Sequence, residues 1–483
     1  MEPLKYDLII IGSGSGNSLI DPRLDHLRIA MVDDAPWYGG TCLNVGCIPT
    51  KMFVLPADHA VAPAEAARLG VTQHTDHVDF PAIRDRVFGR IDPIAEGGLD
   101  WRRRQPHVEV HRETAAFVDA HTLELSPSGQ RITADQIVLA AGSRPRSAVE
   151  PDADIAHLVH TSDSVMRIDA LPKRMVILGG GFIAAEFGHV FSAYGVDVTV
   201  VTRGPALLRR EDRDISAKFT EQLGRQVKLA LNQPVKGIHA GADGGVRVVT
   251  TDAEGREVVH EADLVLNAVG RVPNGDRLNL PAAGVEVDGR GFVKVDEHQR
   301  TTVAHIWALG DVASPWMLKH VANHEMRVVM HNLLHPHDLV ASDHRYVPHA
   351  VFAHPQIGAV GLTEQELEAQ GTPYLVQVQQ YGSVAYGWAM EDQEHFLKLL
   401  ADPRTGRLLG AHVMGPQAAT LVQQLIHMMS FDQDIESVAT KQYWIHPALP
   451  ELIENGLLGL VAQRRDWLKQ QGGVANDQGR ADS

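Results

Sequence analysis

Residues 39–51 read Gly39-Gly40-Thr41-Cys42-Leu43-Asn44-Val45-Gly46-Cys47-Ile48-Pro49-Thr50-Lys51, and they hold both cysteines of the 483-residue chain. With so few cysteines and no secretory leader, the chain is expected in the cytoplasm, where a close pair is more often catalytic or metal-binding than structural. No Cys/His cluster nearby supplies the four ligands of a structural zinc, so no metal is expected. Pro49 and Thr50 lead from Cys47 into a predicted helix, whose N-terminus favours a thiolate. Lys51 falls one turn after Cys47, on the same helical face. Two readings stand at this point: a redox disulfide, and two unrelated loop cysteines.

Upstream, Tyr6 to Ile11 is an apolar strand that runs into Gly12-Ser13-Gly14-Ser15-Gly16-Asn17. Gly12, Gly14 and Gly16 allow a tight turn and close backbone approach to a pyrophosphate. The third fingerprint position is Asn17, not Gly or Ala, so a plain turn remains the alternative. A second strand, Arg28 to Val32, ends at Asp33-Asp34, near the roughly twenty-residue offset of a ribose-binding acid. Asp21-Pro22 interrupts the segment between, which predicts a short or bent first helix.

Downstream, the pattern repeats more completely. Met175 to Leu178 is a strand, Gly179, Gly181 and Ala184 form G-x-G-x-x-A, a helix runs toward Gly195, and Val196 to Val201 is the next strand. An acid at the end of that strand would suit NADH. Thr202-Arg203 stands there instead, with Arg209 and Arg210 close behind, and guanidinium groups suit the 2′-phosphate of NADPH. Strands ending at Gly142, at Gly270 and at Gly310-Asp311 mark exits from and returns to the first unit. From about residue 346 an α+β pattern takes over, ending in His446-Pro447-Ala448-Leu449-Pro450-Glu451. A His and a Glu across such a proline-stiffened turn can hydrogen-bond, orienting and basifying the ring.

The pattern predicts an α/β chain with two Rossmann-like dinucleotide-binding domains and a C-terminal α+β domain. The expected boundaries are 1–149 with 274–345, then 150–273, then 346–460, with a polar, disordered tail over 461–483. A formal charge of −16 with no basic run argues against nucleic-acid or anionic-membrane partners. No apolar stretch approaches the roughly 20 residues of a membrane helix.

GGTCLNVGCIPTK resembles the redox-active disulfide of the flavoprotein disulfide reductases, the class I pyridine nucleotide-disulfide oxidoreductases. The likeness extends over about residues 1–460, with the expected motifs in order. It implies FAD in the N-terminal site, with Asp34 on its ribose, Gly40, Thr41 and Gly142 around it, and Asp311 at the ribityl chain. It implies Lys51 beside the flavin, paired with Glu186, and Phe182 gating the nicotinamide. Arg203 and Arg209 match the residues that hold NADPH in relatives using that coenzyme, and Gly270 matches the return to the FAD domain. Cys47 matches the flavin-proximal sulfur and Cys42 the sulfur that attacks a substrate disulfide. His446, oriented by Glu451, matches the proton donor that a homodimer supplies across its interface; the third domain is then the dimerisation domain. Pro22 stands where glutathione-reducing members carry an arginine. The wording of 44–54, 384–392 and 442–446 resembles the branch that acts on mycothione, the disulfide of a cysteinyl glucosamine–inositol thiol. The alternatives are an NAD-dependent dihydrolipoamide dehydrogenase, which Arg203 and Arg209 oppose, and a glutathione-type reductase.

Overall fold

The residues from Leu8 to Ile11 are buried on both faces of the strand they form, Leu4–Ile11. An all-apolar run of this kind suits the centre of a parallel sheet. In the computed structural model, which describes the backbone over residues 2–481 and side chains as far as 471, that is its place. Ile29–Val32 pairs with it in parallel on one side and Arg131–Leu139 on the other. Val108–His111 and Ile306–Ala308 extend the parallel set, and the strands Thr114–Phe117 and Thr122–Ser126 add an antiparallel edge.

The connection from the first strand to the second contains no α-helix. The chain makes two 3-10 turns, Ser15–Leu19 and Pro22–Leu24, with the Asp21 carboxylate accepting the Arg23 N–H at 3.0 Å to start the second. Pro22 removes a helical donor and clashes with a preceding turn. The expected short helix is therefore shorter still.

The second sheet is wholly parallel, in the order Lys228–Ala230, Asp197–Val201, Arg174–Leu178, Leu264–Asn267, Val159–Thr161. Helices Phe182–Ala193 and Arg213–Leu223 belong to this unit, as does a three-stranded antiparallel sheet, Val235–Ala240, Val246–Thr251 and Glu257–Ala262. Where the chain leaves the first sheet and where it returns, it forms one antiparallel ribbon, Ser143–Pro145 against Arg271–Pro273. The third sheet is antiparallel and five-stranded, from His349–Val351 to Leu408–Met414, and packs against the helices Ala418–Ser430 and Glu451–Ala481. The whole is an α/β chain with two parallel dinucleotide-type sheets and an α+β unit, as its sequence pattern predicts.

The last helix occupies the start of the expected tail. It continues through residue 461 to Ala481. Val461 is buried, Gln463 donates to the Val376 carbonyl at 2.9 Å, and Arg464 donates to the carbonyls of Pro403 and Arg404 at 3.1 and 2.9 Å. The last two residues of that tail, 482 and 483, lie outside the described residues. Among the described residues no helix is long and apolar enough to cross a membrane, and no group of His, Cys, Asp and Glu is arranged to hold a metal.

Candidate active site

Cys42 lies on the short helix Gly40–Asn44, and Cys47 is the first residue of the 22-residue helix Cys47–Arg68. Gly46 joins them; a Cβ there would come 3.0 Å from the Thr41 carbonyl oxygen, so the turn between the cysteines leaves little room for a side chain. Both are free thiols, and they hydrogen-bond to each other. The Cys47 thiol donates, which holds Cys42 below the ordinary thiol range against the upward push of burial; Lys319 adds to the lowering. The same bond, with burial, pushes Cys47 far up. The pair is thus split into a readier thiolate and a proton holder.

Lys51 and Glu186 do not form the expected ion pair; among the described residues none joins them. Both converge on Phe352 instead. The Lys51 Nζ sits 4.0 Å from the centroid of the Phe352 ring, and the Glu186 carboxylate accepts the Phe352 N–H at 2.9 Å. Burial pushes Glu186 up to about 7, opposed by that N–H and by Lys51. Burial likewise pulls Lys51 down. Two charges that hydration would otherwise serve are thereby held half-desolvated behind the redox pair.

The first glycine loop is tight enough to need its glycines. Gly12 has φ of 108°, and a Cβ there would lie 2.2 Å from the Ala140 carbonyl oxygen. A Cβ on Gly40 would lie 2.5 Å from the Gly14 Cα, so the glycine loop and the redox loop touch backbone to backbone. Gly16, whose Cβ would meet that of Ala140 at 2.7 Å, does the close packing expected of the third position. Asn17 turns aside and accepts the Tyr38 hydroxyl at 2.7 Å.

Of the two adjacent acids, Asp33 is buried and spent on the fold: it accepts the N–H groups of Ser13 and Ala35 at 2.7 and 3.0 Å and meets Arg112 at 2.8 Å. Asp34 is exposed at the tip of its strand, with Arg277 at 3.9 Å. Asp311 is pushed up by burial, against the Ser143 hydroxyl that donates to it at 2.6 Å and against Arg271. Arg271 also donates to Ser143, joining Asp311 to the ribbon, whose flanking glycines Gly142 and Gly270 have φ of 67° and 126°. A backbone cradle, an open acid at the strand tip and a buried carboxylate fit a flavin dinucleotide.

On the second sheet, Gly179 has φ of 129°, and its Cβ would lie 2.3 Å from the Ala268 carbonyl oxygen. Gly181 caps the following helix, Ala184 is buried, and Phe182 stands half exposed at the helix start. The loop bearing the arginines is fastened to the glycine loop by the Leu208 N–H on the Gly180 carbonyl at 2.7 Å. A Cβ on Gly204 would lie 2.8 Å from the Arg209 Cδ, so Arg209 folds across that glycine. Arg203 and Arg209 are exposed, and neither forms an ion pair among the described residues.

The His446 Nδ1 lies 2.7 Å from Glu451 Oε1, and Glu451 Oε2 accepts the Ala448 N–H at 3.2 Å. The ring is 68% exposed, and its Nε2 has no partner among the described residues. Its chain neighbours Tyr443 and Ile445 are at least 74% exposed. Sequence reading missed Phe352 and Lys319, whose partners are remote in the chain and carry no local spacing signal.

The family model for the pyridine nucleotide-disulphide oxidoreductases matches residues 6–326, and that for their dimerisation domain matches 347–456. The chain is 51% identical over 465 residues to the mycothione reductase of Mycobacterium tuberculosis, covering 94% of this chain and 99% of that one. It is 33% identical over 461 residues to a dihydrolipoyl dehydrogenase of Haloferax volcanii, covering 92% and 94%. Among solved structures, the HOCl-induced flavoprotein disulfide reductase RclA from Escherichia coli superimposes with a TM-score of 0.81 at 26% identity, covering 94% of this chain and 99% of that one. Thiol pair, two dinucleotide cradles and a dimerisation unit thus occur together, and the chain belongs to the pyridine nucleotide-disulphide oxidoreductases, the flavoprotein disulfide reductases, whose cofactors are a flavin and a pyridine nucleotide.

Proposed function

We propose that this chain is an NADPH-dependent flavoprotein that reduces mycothiol disulfide to two mycothiol thiols, as a homodimer in the cytoplasm. The observation that carries the reading is the pair of free thiols at the start of a long helix, in a loop that touches the first glycine loop backbone to backbone. The 51% likeness to a mycothione reductase supports the substrate. FAD, when bound, supplies the two-electron relay between nicotinamide and the Cys42–Cys47 disulfide.

Gly12, Gly14, Gly16, Gly40, Thr41 and Gly142 border the FAD cradle, Asp34 takes the ribose, Asp311 the ribityl chain, and Lys51 with Glu186 sets the charge behind it. Gly179, Gly181 and Ala184 seat NADPH, Arg203 and Arg209 take its 2′-phosphate, Phe182 covers the nicotinamide side, and Gly270 closes the unit. In the reduced protein the Cys42 thiolate attacks one substrate sulfur, the S–S bond breaks, and His446 of the second copy protonates the leaving thiolate. Cys47 then yields its proton to that imidazole and attacks the Cys42 sulfur. The second mycothiol leaves and takes the proton, and the Cys42–Cys47 disulfide is restored. Glu451 holds the ring on Nδ1 throughout, leaving Nε2 to carry protons.

The test is coenzyme oxidation by the purified protein with mycothiol disulfide, glutathione disulfide and lipoamide side by side. Turnover with NADPH and mycothiol disulfide is expected. Turnover with NADH and lipoamide instead would overturn the reading.

A further inference from the structure

A dinucleotide's diphosphate ordinarily rests on the N-terminus of the first helix, where free N–H groups and the macrodipole supply roughly half a positive charge. In this chain the five-residue 3-10 turn Ser15–Leu19 stands in that position, too short to build such a dipole. The chain as a whole carries a formal charge of −16. An anionic cofactor therefore needs a local cation.

Lys319 supplies one. It opens the 16-residue helix Lys319–Leu334 and donates from Nζ to the Ser15 Oγ at 2.8 Å. The Ser15 hydroxyl in turn donates to the Asn323 Oδ1 at 3.2 Å, one helical turn further on. Ser15 is thereby oriented by the same helix that carries the ammonium. Lys319 is half-buried and forms no ion pair among the described residues, so its charge beside the glycine loop is unneutralised. Two of its three N–H donors remain free for a ligand.

We propose that Lys319 is a cofactor-binding residue whose ammonium, held by Ser15 and Asn323, meets the diphosphate of FAD in place of the missing helix N-terminus. This rests on the reading that the first glycine loop holds FAD. Lys319 also lies close enough to Cys42 to favour its thiolate, so one cation serves the cofactor and the nucleophile.

The experiment strips the protein of FAD and titrates the apoprotein with FAD, following flavin fluorescence, for the native chain, K319M and K319R. Riboflavin, which lacks phosphate, serves as the second probe. K319M is expected to bind FAD about ten- to a hundred-fold more weakly, the loss of a charged hydrogen bond. K319R is expected to stay within a few-fold of the native chain, and riboflavin affinity to be unchanged in both variants. Added salt should weaken FAD binding to the native chain more than to K319M. FAD binding within two-fold of native in K319M, or an equal loss for riboflavin and FAD, overturns the proposal. A native apoprotein that takes up no FAD overturns this proposal and the cofactor reading together.

Discussion

Cys42 and Cys47 are chemically the same side chain, and one hydrogen bond makes them different. The Cys47 S–H stabilises the Cys42 thiolate, so Cys42 keeps its reactivity to lower pH than an ordinary thiol. In reduced protein, the pH at which Cys42 is half-alkylated by iodoacetamide should move upward in C47A, because the donor is gone; an unmoved midpoint would refute the split. C42S should lose disulfide reduction by at least about 10³-fold while retaining FAD and its bleaching by NADPH. The cysteines and the His446–Glu451 pair were legible because their partners lie five residues apart. Lys319 was not, since 304 positions separate it from Ser15, and no local pattern reports such a contact. Lys51 and Glu186 influence each other through space without a direct ion pair among the described residues. Phe352, remote from both in the chain, offers each a partner.

At the level of elements, the loop from Arg203 to Arg210 is where the proposed choice of NADPH would be made. The Leu208 N–H pins it to Gly180, and Gly204 lets Arg209 fold across the loop. Replacing Arg203 and Arg209 by Gln should raise the KM for NADPH by about ten- to a hundred-fold and leave that for NADH nearly unchanged. Equal losses for both coenzymes in initial-rate measurements would rule out a 2′-phosphate role. The parallel strands were readable because burial on both faces demands continuous apolar runs. The last helix was not. Its polar composition suggested disorder, but Gln463 and Arg464 spend their polarity on carbonyls of the neighbouring unit, which composition does not record.

Across the whole molecule, the second and third units are locked by a buried lysine. Lys398, on the third sheet, donates to Asp212 at 2.8 Å, Asp214 at 2.6 Å and Glu364 at 2.7 Å, with its own side chain 1% exposed and that of Asp212 0%. K398M strands Asp212 without a counter-charge and should cost about 3–5 kcal/mol, read as a lower denaturation midpoint. Adding D212N should recover part of it, and an unchanged midpoint in K398M would deny the lock any energetic role. His349 lies beside it with Nε2 at 2.8 Å from both oxygens of Glu211. Burial pulls the His349 pKa down, but Glu211 outweighs it and the net shift is up. Its folded value therefore exceeds the unfolded value of about 6.5. That stabilisation is complete below about pH 6.5 and fades as pH rises through the folded value. H349Q should flatten the alkaline limb of a melting-temperature profile, and an unaltered limb would count against the pair.

The ribbon of Ser143–Pro145 with Arg271–Pro273 makes everything between those strands an insertion whose two ends are already zipped together. Its length and content can drift without stretching the first sheet, since the closure entropy is met at the ribbon itself. By covalent logic the nucleotide unit is a cassette, exchangeable between relatives. By non-covalent logic it is not: a transplanted cassette has to bring acids in place of Asp212 and Asp214, or leave Lys398 buried with Glu364 as its one remaining counter-charge among the described residues.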